Sequence, residues 1–136
     1  MKQFFIEEKG LKINLNLFIG YNIKELNVLL GKGGYSPLKD DGRSYLGTYF
    51  LTNTEDGVDT HCIWIESEEW KLRNQCVLVH EICHFVRTAM ERSGMDISDE
   101  TANEVFAYLV EYFTYEASKM INDNEEMKKK VKRKKR

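Results

Sequence analysis

No apolar run in this chain approaches the ~18 to 20 residues a membrane span needs, so nothing in its 136 residues reads as a transmembrane helix. The first residues do not form a secretory signal either, because Glu7 and Glu8 break the apolar stretch Phe4-Phe5-Ile6 at once. Cysteine is scarce. Cys62, Cys76 and Cys83 are an odd set with no paired spacing, which argues against a disulfide framework and fits reduced thiols in a cytoplasmic compartment. Gly31-Lys32-Gly33-Gly34 lacks the following Lys-Ser/Thr of a phosphate-binding loop, so it reads as a flexible connection that continues through Pro37, Asp40, Asp41 and Gly42. There is no internal repeat, and the length suits one domain with one core. Histidine is as rare as cysteine, with three in all, yet two of the three fall in one short stretch.

That stretch is residues 76–86, which contain His80-Glu81-Ile82-Cys83-His84. On a helix, residues i and i+4 share a face, so both imidazoles can point at one ion and supply half of a tetrahedral Zn²⁺ site. Glu81, next to the first histidine, is placed to take a proton from an activated water. Val77, Leu78, Val79, Ile82, Phe85 and Val86 make the helix apolar nearly all round, which predicts a buried element whose His and Glu side chains need partners. Cys83 reads as a small buried apolar residue.

A third protein ligand is expected downstream. After the turn at Ser93-Gly94-Met95-Asp96, Ser98 reads as an N-cap, and Asp99 and Glu100 suit the positive end of a helix bearing Asn103-Glu104. The pattern resembles the gluzincin metallopeptidases, the thermolysin-like group, whose third zinc ligand is a Glu in an Asn-Glu pair on the next helix. The resemblance implies His80, His84 and Glu104 as metal ligands and Glu81 as general base. The position four after Glu104, acidic in that group, is Tyr108 here. A second resemblance, covering residues 45–115, is to small phage and prophage proteins with a strand-rich first half, a His-Glu-x-x-His helix and a Glu-x-x-Ala-Tyr-Leu segment; Glu104-Val105-Phe106-Ala107-Tyr108-Leu109 matches the last. Ala102, Val105, Phe106, Leu109, Phe113, Ala117 and Met120 form an apolar stripe opposite Glu104, Glu100 and Glu111. Glu104 therefore reads either as a ligand, in a helix sandwiched between core and metal helix with Tyr108 and Tyr112 as cover, or as part of a solvated acidic face. Glu100 is the reserve ligand.

The first half reads as sheet. Leu11, Ile13, Leu15, Leu17 and Ile19 alternate with Lys12, Asn14, Asn16 and Phe18, and residues 3–7 can pair with them across a turn at Glu8-Lys9-Gly10. Asn22 is expected to cap a short helix carrying Ile23, Leu26, Leu29 and Leu30 and ending at Gly31. Strands follow at residues 44–52 and 60–66, joined by turn residues 53–57. In zincins a strand beside the metal helix lines the cleft, and that likeness nominates residues 60–66 as the substrate-pairing edge. His61, on that strand, reads as a surface histidine or as a polariser of the scissile carbonyl.

The expected fold is α+β and zincin-like, with a small antiparallel or mixed sheet packed on the His-Glu-x-x-His helix and a Glu-bearing return helix. It occupies residues 1–126, followed by a basic, disordered tail at 127–136. The tail holds eight Lys or Arg, so the net charge of −2 implies −10 for residues 1–126. Such a tail suits weak contact with nucleic acid or an acidic partner. The expected activity is zinc-dependent hydrolysis of a peptide bond in a dedicated protein or peptide substrate. The alternative is a non-catalytic, zinc-binding interaction protein of the phage type.

Overall fold

The computed structural model describes residues 1–40, 46–53, 57 and 59–135. Four strands, β1 (Lys2–Glu8), β2 (Ile13–Ile19), β3 (Gly47–Asn53) and β4 (Asp59–Ile65), form one sheet in the order β1-β2-β4-β3. Three helices accompany it: α1 (Ile23–Lys32), α2 (Leu72–Arg92) and α3 (Glu100–Lys134). The α+β expectation holds, and the sheet is mixed because β2 runs parallel to β4 while the other two pairings are antiparallel.

The period-2 pattern of β2 sorts the layers. Ile13, Leu15, Leu17 and Ile19 face α2 and α3 together with Ile6, Ile63 and Ile65. Phe18, Phe50, Cys62 and Trp64 face the other way and bury Leu26 and Leu30 of α1. The hairpin turn uses residues 9–12, one position later than expected, and Lys12 takes a left-handed φ of 56°. Asn22 caps α1 in a capping box with Glu25, and the helix runs on to a C-cap at Gly33 instead of stopping at Gly31. The Asp41-Gly42 part of the loop, the first residues of the 44–52 strand and most of the 53–57 turn lie outside the described residues.

Between α2 and α3 the chain reverses through Gly94, whose φ of 79° suits a residue without Cβ. The N-cap of α3 is Asp99, which accepts from the Thr101 N–H, whereas Ser98 bonds back to Asp96. Ala102, Leu109, Phe113, Ala117 and Ile121 bury the inner stripe of α3. Beyond Ile121 the helix overhangs the core. The basic segment, expected as a disordered tail, continues α3 as helix through Lys134. No Pro or Gly interrupts it, and Lys132, Arg133 and Lys134 in the last turn complement the helix dipole. Among the described residues no helix is long and apolar enough to cross a membrane.

Candidate metal centre

His80, Glu81 and His84 occupy the middle of α2. At about 100° per residue, His84 lies roughly 40° round the helix from His80 and Glu81 roughly 100°. The two imidazoles therefore stand over one another while the carboxylate turns aside towards β3. The rings meet edge to face, centroids 4.7 Å apart, with their Nε2 atoms 3.1 Å apart. By themselves the rings satisfy each other, one N–H donating to the other's lone pair. Two nitrogens bound at ~2.0 to 2.1 Å to a tetrahedral zinc ion lie roughly 3.3 Å apart, close to the separation of this pair.

The expectation of a helix buried nearly all round does not hold. Leu78, Ile82, Phe85, Val86, Ala89 and Met90 suffice for the core, and His80 and His84 lie on an open stripe with Arg73, Cys76 and Arg87. Val79 is 38% exposed, an apolar residue the core does not use. Glu81 differs from its neighbours at 8% exposed, and its Oε2 accepts the backbone N–H of Tyr49 at 2.8 Å.

That bond identifies the cleft wall. β4, nominated from the sequence, is interior, paired to β2 on one side and β3 on the other; the free edge beside the motif is β3. In an antiparallel ladder alternate residues turn their backbone groups away from the partner strand. Tyr49 does so, and Gly47 and Leu51 share its parity. A Cβ on Gly47 would come within 2.6 Å of Val77 Cγ1, so glycine permits the close approach of β3 to α2. The groove between them opens into two hollows on either side of Glu81. Leu46, Arg73, Cys76, Val77 and His80 line one; Thr48, Tyr49, His84 and Thr88 line the other.

The proposed third ligand stands elsewhere. Glu104 and Glu100 are exposed on α3, and among the described residues no three His, Cys, Asp or Glu side chains come close enough to hold one ion. Burial of Leu109 and Phe113 turns Glu104 to the outer face, roughly 140° away from Leu109. Tyr108 and Tyr112 give it no cover, since their hydroxyls donate to Glu8 Oε1 and the Glu7 carbonyl of β1. The structure thus brings together His80, His84 and Glu81 and leaves both α3 acids apart. Tyr49 and Gly47 were missed in the sequence. A glycine inside a strand pattern was the available signal for Gly47; a backbone N–H holding Glu81 leaves none.

His61 neither faces the histidine pair nor lies free on the surface. It is half-buried, its Nδ1 2.8 Å from the Tyr49 hydroxyl and its ring edge-on to Phe85 at 5.1 Å. Burial pushes the Tyr49 phenol up to about 12, so it keeps its proton and can donate to Nδ1. Burial, then the Arg92 cation, hold His61 below the usual imidazole value, with Asp59 opposing. A depressed imidazole binds fewer protons folded than unfolded, so its contribution is complete above the ordinary value of 6.5 and is lost as pH falls through the folded one. Urea unfolding of the metal-free protein should therefore show stability dropping below about pH 6.5, with a shallower drop in His61→Gln. An identical pH slope in the two proteins contradicts the assignment.

No family model matches this chain, and neither a curated protein nor a solved structure matches it.

Proposed function

We propose that this protein is a zinc-dependent peptidase of gluzincin type that cleaves an extended segment laid along the outer edge of β3. The observation that carries the reading is the His80–His84 pair, Nε2 atoms 3.1 Å apart, beside a buried Glu81 tied to that edge. His80 and His84 would hold the ion. The gluzincin likeness assigns the third position to Glu104, with Glu100 in reserve; both stand apart from the pair in this structure, so filling that position requires α3 to move. A zinc ion held there would supply the Lewis acidity that activates water near neutral pH.

Everything else falls to the chain's own groups. With Oε2 fixed by Tyr49, Glu81 keeps its other oxygen to accept a proton from the attacking water and return it to the leaving amine. The outward backbone groups of Gly47 and Leu51 pair with a substrate strand, and the two hollows take side chains flanking the scissile bond. Residues 1–126 carry −10, so basic peptides are steered in. The substrate we assign is a segment of one dedicated protein or peptide. Cys62, Cys76 and Cys83 are all free thiols, which supports assigning the work to a reducing, cytoplasmic compartment.

One observation favours the second reading, a non-catalytic zinc-holding interaction protein of the phage type. Only two donors converge among the described residues. Incubating the zinc-loaded protein with a peptide library separates the two. The peptidase reading expects cleavage that a chelator abolishes and added zinc restores; stoichiometric zinc with every peptide intact selects the interaction protein.

A further inference from the structure

The last turns of α3 carry a surface that peptide hydrolysis does not use. In residues 128–135 every side chain but Val131 is cationic, and all are exposed. Only Lys128 has an acidic partner among the described residues, Glu125 at 4.0 Å. At 1.5 Å per residue these eight positions span about 12 Å, one positive charge per ~1.7 Å. Duplex DNA carries one negative charge per ~1.7 Å of its axis. The two linear charge densities match.

The distribution round the helix narrows the partner. Steps of about 100° place Lys135, Lys128, Lys132, Lys129, Arg133, Lys130 and Lys134 at successive bearings over roughly 260°. The remaining strip holds only Met127 and Val131, 60% and 54% exposed. A flat anionic face touches one side of such a helix and leaves the other cations in water. A membrane surface needs a broad apolar face, which two residues do not make. A groove walled by phosphates on both sides engages cations on both flanks, and the major groove of DNA, ~12 Å wide, admits a helix. The rod is also anchored at its base, where Lys2 of β1, nearly buried, pairs with Glu125.

We propose that the end of α3 is a sequence-independent binding rod for duplex DNA, seated in the major groove through phosphate contacts. It tethers the domain to DNA without reading bases, and it stands whether or not the histidine pair holds zinc.

Fluorescence anisotropy of a labelled 20-base-pair duplex with the full chain, titrated with salt, tests this. Up to seven phosphate contacts give a log–log salt slope approaching −6, at roughly −0.9 per contact. Substituting Lys129, Lys132 and Arg133 together with Gln should weaken binding at least tenfold at 100 mM salt and flatten the slope by about three. Lys130→Pro keeps six of the seven cations but breaks the helix beyond the core, and should weaken binding at least fivefold. Both variants should melt as the parent does, since no buried residue changes. No binding at 50 mM salt overturns the proposal, as does parental affinity in the triple variant. Parental affinity in Lys130→Pro means a shapeless polycation, and tighter binding to phosphatidylserine vesicles than to duplex means a membrane partner; either result also overturns it.

Discussion

Glu81→Gln should lower peptide cleavage by about 10³-fold while leaving fold and zinc content unchanged. The size follows from removing a general base, whose contribution is typically ~10² to 10⁴-fold. The selectivity follows from the structure. The bond that buries Glu81 is accepted from the Tyr49 N–H, and a Gln carbonyl oxygen accepts it equally well. The amide has no basic oxygen for a proton, so chemistry is lost and packing is kept. His80 and His84 are untouched, so zinc content measured by atomic absorption should equal the parent's. Steady-state rates on a peptide found in the library screen give the comparison. Activity within tenfold of the parent removes Glu81 from the mechanism.

Phe85→Ala should cost about 3 to 5 kcal/mol of unfolding free energy, the usual range for a fully buried aromatic truncated in a core. Phe85 follows His84 directly and points the other way, fully buried among Tyr49 at 6.2 Å, His61 at 5.1 Å and Phe113 at 4.8 Å. It locks the rotation of α2. With its ring held between β3, β4 and α3, the preceding residue, roughly 100° back round the helix, is carried onto the open stripe, which is how His84 comes to stand beside His80. Denaturant unfolding of the metal-free protein measures the cost. A loss below about 1.5 kcal/mol would mean that the site collapses around the missing ring, against a rigid core setting the histidine pose.

Local features of this fold are plain in the sequence. The alternation from Ile13 to Ile19, the Asn22–Glu25 capping box and the histidine spacing each depend on residues a few positions apart, so pattern suffices to read them. Sheet order depends on long-range pairing. The parallel register of Asn16 with Cys62 puts β4 in the interior and passes the free edge to β3, and nothing near residue 60 announces it. The rotation of α3 is similar. Its apolar stripe and the acids opposite it are legible, but whether that acidic face is covered depends on where β1 takes the Tyr108 and Tyr112 hydroxyls. The basic run reads one way from composition and another in the structure, which continues α3 to Lys134. Charge density suggested disorder, while unbroken helix formers behind a long buried stripe, and the Lys2–Glu125 pair, keep the segment helical.

The histidine pair bears the whole account, and zinc titration by isothermal calorimetry tests it most directly. The metal-free protein should bind one zinc ion per chain, and His80→Ala and His84→Ala should each weaken that binding at least a hundredfold. Glu104→Gln and Glu100→Gln, compared in the same way, tell whether either α3 acid joins the pair when zinc is bound. Parental zinc affinity in both histidine variants, or no zinc binding by the parent, contradicts the metal centre and with it the peptidase.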